Sequence, residues 1–120
     1  MINGIINVYK ERGFTSFDVV AKLRGILHER KIGHTGTLDP EATGVLPICI
    51  GNATKVCELL TDKDKVYRTV MHLGITTDTQ DMTGTVKEDR SREAALLKEQ
   101  TVEAAILQFV GDYEQIPPMY

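Results

Sequence analysis

Residues 33–50 read GHTGTLDPEATGVLPICI, a loop rich in glycine and threonine followed by an apolar run. The three glycines allow close backbone approach and positive φ, and Pro40 holds Asp39 extended because the α region is disfavoured before proline. These features fix the direction of the Asp39 carboxylate, and such preorganisation suits a catalytic group. Asp-Pro is also a common turn starter. Spacing alone therefore leaves both a catalytic and a turn-forming Asp39 open.

Other chemistries fit the sequence poorly. His34 has no second histidine nearby and no cysteine at ligand spacing, which argues against a metal site. The loop lacks the lysine of a phosphate-binding Walker A loop. Ser16 and Ser91 are the only serines, and neither lies in the sharp turn that presents a hydrolase nucleophile. Cys49 and Cys57 suit two small core residues in a reducing compartment. We therefore predict no metal and no cofactor.

Composition and charge set the broad class. The 120 residues are 42 % hydrophobic and 26 % charged, which is ordinary for one globular domain. No apolar run approaches the roughly 18 residues of a membrane span, and no secretory signal is visible, so we expect a cytoplasmic protein. The net charge is −3, but residues 1–39 carry +2 and the remainder −5. Charge alone favours an ordinary solvated helix face for this positive region, with a polyanion as partner as the alternative.

The pattern of apolar residues predicts a mixed α/β chain of the α+β type with no clear internal boundary. The helix that precedes the loop begins at a Thr15 cap, with Asp18 completing a capping box, and ends near residues 29–30. Pro47 predicts that the strand over 44–50 lies at an edge or a bulge. The remaining predicted elements are strands at 4–9, 67–73 and 85–87, a short helix after Asn52, and a helix from a Thr101 cap to Gly111.

Four ordered blocks resemble the TruB family of tRNA pseudouridine synthases. They are NGIINVYKERGFTS (3–16), GHTGTLDPEATGVLPICIGNATKV (33–56), DKVYRTVMHLGITTDTQDMTG (64–84) and GDYEQIPPMY (111–120). The resemblance implies the pseudouridine synthase catalytic-domain fold, a largely antiparallel sheet flanked by helices. Residues 1–120 would form its N-terminal portion, without the rest of the catalytic domain and without the family's RNA-binding domain. One departure is Glu11, which stands where the family has a proline.

The resemblance also implies residue roles. Asp39 stands at the catalytic aspartate. Tyr67 stands at the tyrosine that packs against the target uracil and assists the final proton removal, and His34 at the histidine that receives the flipped-out nucleotide. The family's arginine that pairs with the catalytic aspartate has no counterpart here, so we expect residues 1–120 alone to be inactive. The predicted catalytic residues are Asp39 and Tyr67; the predicted RNA-binding residues are His34, Lys10, Thr37, Arg30 and Lys31.

The function implied by the resemblance is isomerisation of uridine to pseudouridine at position 55, in the T arm of tRNA. Asp39 would act as nucleophile on a flipped-out uridine, in a monomeric enzyme without cofactor. Three alternatives stay open. The first is a guide-RNA-dependent enzyme of the same chemistry, whose branch shares the G-H-[ST]-G-T-L-D-P core. The others are a non-catalytic RNA-binding module and a small-molecule-binding α/β domain.

Overall fold

A computed structural model of the chain describes residues 1–117. It divides into two compact units, Met1–Val66 and a second that begins at Tyr67, although the sequence shows no boundary there. Each unit is described by itself. The end of the last family-like block, residues 118–120, lies outside the described residues.

The N-terminal unit is built on a three-stranded antiparallel sheet with the order β1-β3-β2. The predicted strand at 4–9 and the predicted strand at 44–50 are both confirmed and pair along their whole length. The elements are β1 (Gly4–Lys10), α1 (Ser16–Leu27), β2 (Ile32–His34), β3 (Gly44–Ile50), a 3-10 helix (Gly51–Val56) and α2 (Cys57–Thr61).

Helix α1 begins with the predicted capping box. Thr15 Oγ accepts from the Asp18 N–H at 3.0 Å, and the Asp18 carboxylate accepts from the Thr15 N–H at 2.8 Å. Hydrogen bonding of the carboxylate to the Thr15 N–H, and less strongly to the Thr15 hydroxyl, lowers the pKa of Asp18. The helix ends at Leu27, slightly earlier than predicted, because His28 turns into the left-handed region at φ 53°.

The core of this unit lies between α1 and one face of the sheet. Alternate residues of β3 point to this face because side chains of a strand alternate. They meet the apolar stripe of α1, and Leu38 from the loop packs against the same cluster. The buried residues of the cluster are Val19, Val20, Ile32, Leu46, Ile48 and Ile50.

Pro47 was expected at an edge or a bulge, but β3 is the central strand. The Pro47 carbonyl accepts from Thr35 N at 3.2 Å and from Thr35 Oγ at 3.1 Å. Because N–H and C=O of one residue point to the same side of an antiparallel strand, the missing donor of Pro47 faces away from β1. On that side β2 has already ended, because its last paired residue is His34, opposite Ile48. The sheet therefore accommodates proline centrally without losing a hydrogen bond to β1.

The C-terminal unit contains a small antiparallel hairpin and two helices. The elements are β4 (Ile75–Thr77), β5 (Val86–Asp89), α3 (Ser91–Ala94) and α4 (Glu99–Leu107). Helix α4 begins two residues before Thr101 and carries no side-chain cap, so the predicted Thr101 cap is wrong. The helix ends at Leu107, before the predicted stop at Gly111, although Gly111 does adopt a left-handed φ of 103°. The mixture of helices and antiparallel strands confirms the α+β class.

The predicted strand over 67–73 is not formed. This segment is exposed and has no regular secondary structure, and none of its backbone groups pairs with another strand within residues 1–117. Alternating side chains give a strand two faces, but hydrogen bonds from a neighbouring strand are what hold it. Within the same residues, no helix has the length and apolar character needed to cross a bilayer.

Candidate active site

Asp39 lies at an exposed turn between β2 and β3. Its carbonyl accepts from the Ala42 N–H at 2.9 Å, with Pro40 at the second position of the turn, where proline is favoured. Asp39 therefore does start a turn, as Asp-Pro predicts. Its carboxylate is exposed and accepts no hydrogen bond from residues 1–117. The turn uses the backbone of Asp39 and leaves the carboxylate available for chemistry.

The residue before Asp39 is held by a serine hydroxyl. Ser16 is 3 % exposed. Its Oγ accepts from the Leu38 N–H at 3.0 Å and donates to the Leu38 carbonyl at 3.5 Å. Both polar groups of the Leu38 main chain are thus satisfied by one side chain from the start of α1. Sequence reasoning considered Ser16 only as a nucleophile, and no sequence signal marks this supporting contact.

The residue after Asp39 is held by the segment that joins β1 to α1. The Pro40 carbonyl accepts from the Gly13 N–H at 2.8 Å and from Lys10 Nζ at 3.4 Å. The same ammonium donates to the carbonyls of Phe14 at 2.7 Å and Glu11 at 3.0 Å. Asp39 is therefore fixed on both sides by residues of the first family-like block.

Lys10 was predicted to bind RNA, and this prediction does not fit the structure. Its side chain is 0 % exposed, and its ammonium has three protons for three backbone carbonyls. A buried charge requires partners of this kind. Lys10 therefore supports the loop of Asp39 from inside the protein.

His34 ends β2 and is half-buried. Its Nδ1 lies 2.6 Å from the Gly36 carbonyl oxygen. Because a carbonyl only accepts, Nδ1 carries the proton and Nε2 of the neutral ring is an acceptor. This bond orients the ring at the start of the loop. Thr37, between His34 and Asp39, is exposed.

A cationic turn precedes β2. Arg30 and Lys31 are exposed, and their side chains make no hydrogen bond or ion pair within the part of the chain described. The turn itself is held through its backbone, since Arg24 Nε donates to the Arg30 carbonyl at 3.1 Å and a Glu29 carboxylate oxygen accepts from the Lys31 N–H at 3.2 Å. The two cationic side chains are available to an anionic partner.

The two cysteines lie near Gly33, since Cys49 pairs with Gly33 across β3 and β2 and Cys57 Sγ lies close to it. Cys49 is 0 % exposed, and burial raises the pKa of its thiol to about 11, with hydrogen bonding to Cys57 and the charge of Cys57 adding to the effect. Cys57 Sγ occupies the space above Gly33, 3.3 Å from where a Cβ would stand. The expected buried core position is confirmed for Cys49, while Cys57 is only half-buried.

Tyr67, the other predicted catalytic residue, belongs to the C-terminal unit. It is 67 % exposed, at the start of the unpaired segment over 67–73. In the same unit the acids of the hairpin loop are engaged locally. The Asp81 carboxylate accepts from the Thr83 and Thr79 hydroxyls at 2.5 and 2.7 Å, which lowers the pKa of Asp81. This loop uses its carboxylates for its own structure.

A cluster of metal-ligating side chains is not present in residues 1–117. The loop after β2 therefore offers a free carboxylate on a turn braced from both sides and a histidine held through Nδ1, whereas the two exposed cations lie before β2, at the opposite end of that strand. Such a set can supply a nucleophile or a base to an anionic substrate.

Comparison with known proteins shows the family of this chain. Residues 24–120 match the model of the TruB family pseudouridylate synthase, N-terminal domain. The chain belongs to this family.

Individual relatives carry the name tRNA pseudouridine synthase B. One from Lachnoclostridium phytofermentans is 66 % identical over 119 residues, covering 99 % of this chain and 38 % of the relative. One from Bacillus pumilus is 53 % identical over 120 residues, covering 100 % and 38 %. The chain thus spans about two fifths of the length of these relatives. One solved structure that matches is an H/ACA RNP bound to a substrate RNA containing 2′-deoxyuridine. The match covers 47 % of this chain and 18 % of the matched chain in that structure, with 48 % sequence identity and a TM-score of 0.46.

Proposed function

We propose that this chain carries the catalytic aspartate of an enzyme that converts uridine to pseudouridine in the T arm of tRNA. The observation that supports this most directly is the Asp39 carboxylate, exposed on a turn whose two flanking residues are held by Ser16 and Lys10. Family membership and the names of the relatives support the reaction class and a tRNA substrate.

The reaction requires a nucleophile or base beside the sugar and base of one nucleotide. The N1–C1′ bond of uridine breaks, the base turns, and a C5–C1′ bond forms. The hydrogen on C5 leaves as a proton, and N1 regains one, so substrate and product are isomers and no net oxidation occurs. Asp39 acts at C1′, at C6 or on a sugar proton, all of which use the same carboxylate.

The target base must leave its stack, which costs a few kcal/mol. Tyr67 would offer a replacement surface, since stacking on an aromatic ring contributes about 1–3 kcal/mol per base. His34 would occupy space beside the extruded nucleotide. The fixed Nδ1–H bond to Gly36 leaves its Nε2 able to accept a hydrogen bond from the RNA.

A turnover experiment tests the proposal. Since the chain spans 38 % of its Bacillus pumilus relative, the protein tested is this chain joined to the part of that relative outside the match, here called the fused enzyme. The substrate is a T-arm stem-loop RNA with tritium at C5 of its uridines. We expect tritium release without any guide RNA.

Each of the other possible results of this experiment would favour a different function. Release only after a guide RNA is added would favour the guide-dependent branch. Binding of the stem-loop without release would favour a non-catalytic RNA-binding module. Failure of the fused enzyme to bind the stem-loop at low salt would contradict an RNA substrate and favour the small-molecule alternative.

The cationic turn before β2 gives a second prediction. Replacing Arg30 and Lys31 together by alanine should reduce the slope of log K against log salt by about 1.5, because each phosphate contact contributes about 0.7–0.9. Stem-loop binding by the fused enzyme is measured at several salt concentrations. The matched control is the alanine pair at Lys87 and Arg92, two exposed cations of the C-terminal unit. An unchanged slope in the Arg30–Lys31 variant would mean that these cations face only solvent.

A further inference from the structure

We propose that Ser16 is a positioning residue for Asp39, acting through the main chain of Leu38. This rests on the proposed function, because it assigns Asp39 the catalytic role. The hydroxyl of Ser16 is buried and meets both the N–H and the carbonyl of Leu38, at 3.0 and 3.5 Å. One short side chain thereby replaces the pair of hydrogen bonds that a neighbouring strand would supply.

The loop depends on this contact because little else holds its middle. The last residue anchored to the sheet is Thr35, whose N–H donates to Pro47 at 3.2 Å. Within residues 1–117, no backbone–backbone hydrogen bond to residues 36–38 is formed. The His34 ring holds the Gly36 carbonyl, and Ser16 holds Leu38. Without the Ser16 hydroxyl, the main chain of Leu38, directly before Asp39, would lose both of its hydrogen bonds.

The side chain of Leu38 adds a second constraint. It is half-buried and packs against the core cluster between α1 and the sheet. Its main chain is held by Ser16 and its side chain by the core, so both rotation and translation of the peptide before Asp39 are restricted. Pro40, held by Gly13 and Lys10, restricts the other side. The carboxylate direction follows from these two fixed neighbours.

The hydroxyl of Ser16 is not needed to begin the helix. Ser16 is the first residue of α1, but Thr15 and Asp18 form the capping box. Within the described residues the Ser16 hydroxyl bonds only to Leu38. Helix initiation and loop positioning are therefore carried by adjacent residues, and this separates the two effects in an experiment.

The experiment compares Ser16→Ala with Thr15→Ala in the fused enzyme. Thr15→Ala removes the cap of the same helix end without touching residues 38–40, so it reports the effect of lost stability alone. For Ser16→Ala we expect the single-turnover rate of tritium release to fall about 10- to 100-fold, since small misplacement of a catalytic group has costs of this size. Stem-loop affinity should be unchanged. Exchange of the Leu38 amide hydrogen should accelerate in Ser16→Ala and not in Thr15→Ala.

Ser16→Thr restores the hydroxyl and should recover part of the rate. If Ser16→Ala does not fold, Ser16→Cys, which fills the same space with a weak hydrogen-bonding sulfur, replaces it with the same expected loss. An unchanged rate in the variant lacking the hydroxyl, or equal losses in the Ser16 and Thr15 variants, would overturn the positioning role. Asp39→Asn is measured in parallel: turnover in that variant would reject the proposed function itself, whereas inactive Asp39→Asn beside fully active Ser16→Ala would reject only the role of Ser16.

Discussion

Asp39→Asn in the fused enzyme is expected to lower the rate of pseudouridine formation by about 10⁴-fold or more, as loss of a catalytic nucleophile does. Asparagine has nearly the same shape, and the turn uses only the Asp39 carbonyl, so the loop should keep its structure. Stem-loop binding should persist, because the RNA is expected to be held mainly by cations and stacking. Single-turnover tritium release and equilibrium binding measure the two effects separately.

Glu41→Gln is the matched control for this prediction. Glu41 is an exposed acid two residues along the same turn, and its carboxylate lies 3.4 Å from Arg12 Nε. An ion pair as exposed as this contributes little to stability. Glu41→Gln should therefore retain turnover. If Asp39→Asn remained active, or if Glu41→Gln were the inactive variant, Asp39 would not be the nucleophile.

The sequence was most informative where the structure is determined locally. The capping box of Thr15 and Asp18 and the turn at Asp39–Pro40 each depend on residues close together along the chain, and each is present. The direction of the Asp39 carboxylate was inferred from the glycines and from Pro40. The structure adds that the loop is also braced from another part of the chain.

Sequence reasoning failed where partners come from distant residues. The alternation over 67–73 predicted a strand, but a strand requires a neighbour, and none pairs with it in residues 1–117. Pro47 was expected at an edge because proline lacks a donor, yet the short β2 ends before it and leaves that donor unnecessary. Lys10 was assigned to RNA binding from the family resemblance of its block, which does not show whether the side chain is exposed. Its burial depends on the carbonyls of Phe14 and Pro40, and the latter lies 30 residues away.

Lys10→Met should lower the free energy of unfolding of the N-terminal unit by about 1–2 kcal/mol. Methionine has a similar length and fits an apolar surrounding, but it cannot donate to the carbonyls of Glu11, Phe14 and Pro40. Within the described residues, the Phe14 carbonyl has no other partner, whereas the Glu11 and Pro40 carbonyls keep the N–H groups of Phe14 and Gly13. A buried polar group left without a partner costs about 1–3 kcal/mol, and relief from burying the ammonium offsets part of that cost. The expected net loss is large for a small unit. Urea unfolding, followed through the amide signals of β1 and β3, measures it.

Lys55→Met serves as the control, because Lys55 is exposed on the 3-10 helix and its side chain has no hydrogen bond within the described residues. It should leave stability nearly unchanged. Equal stability of the two variants would mean that the carbonyls around Lys10 are satisfied by water and that the ammonium is not an internal brace. The expected contrast would instead establish that a cation from β1 holds both the turn before α1 and the residue after Asp39. The buried Lys10 ammonium would then connect the first family-like block to the second without contacting the substrate.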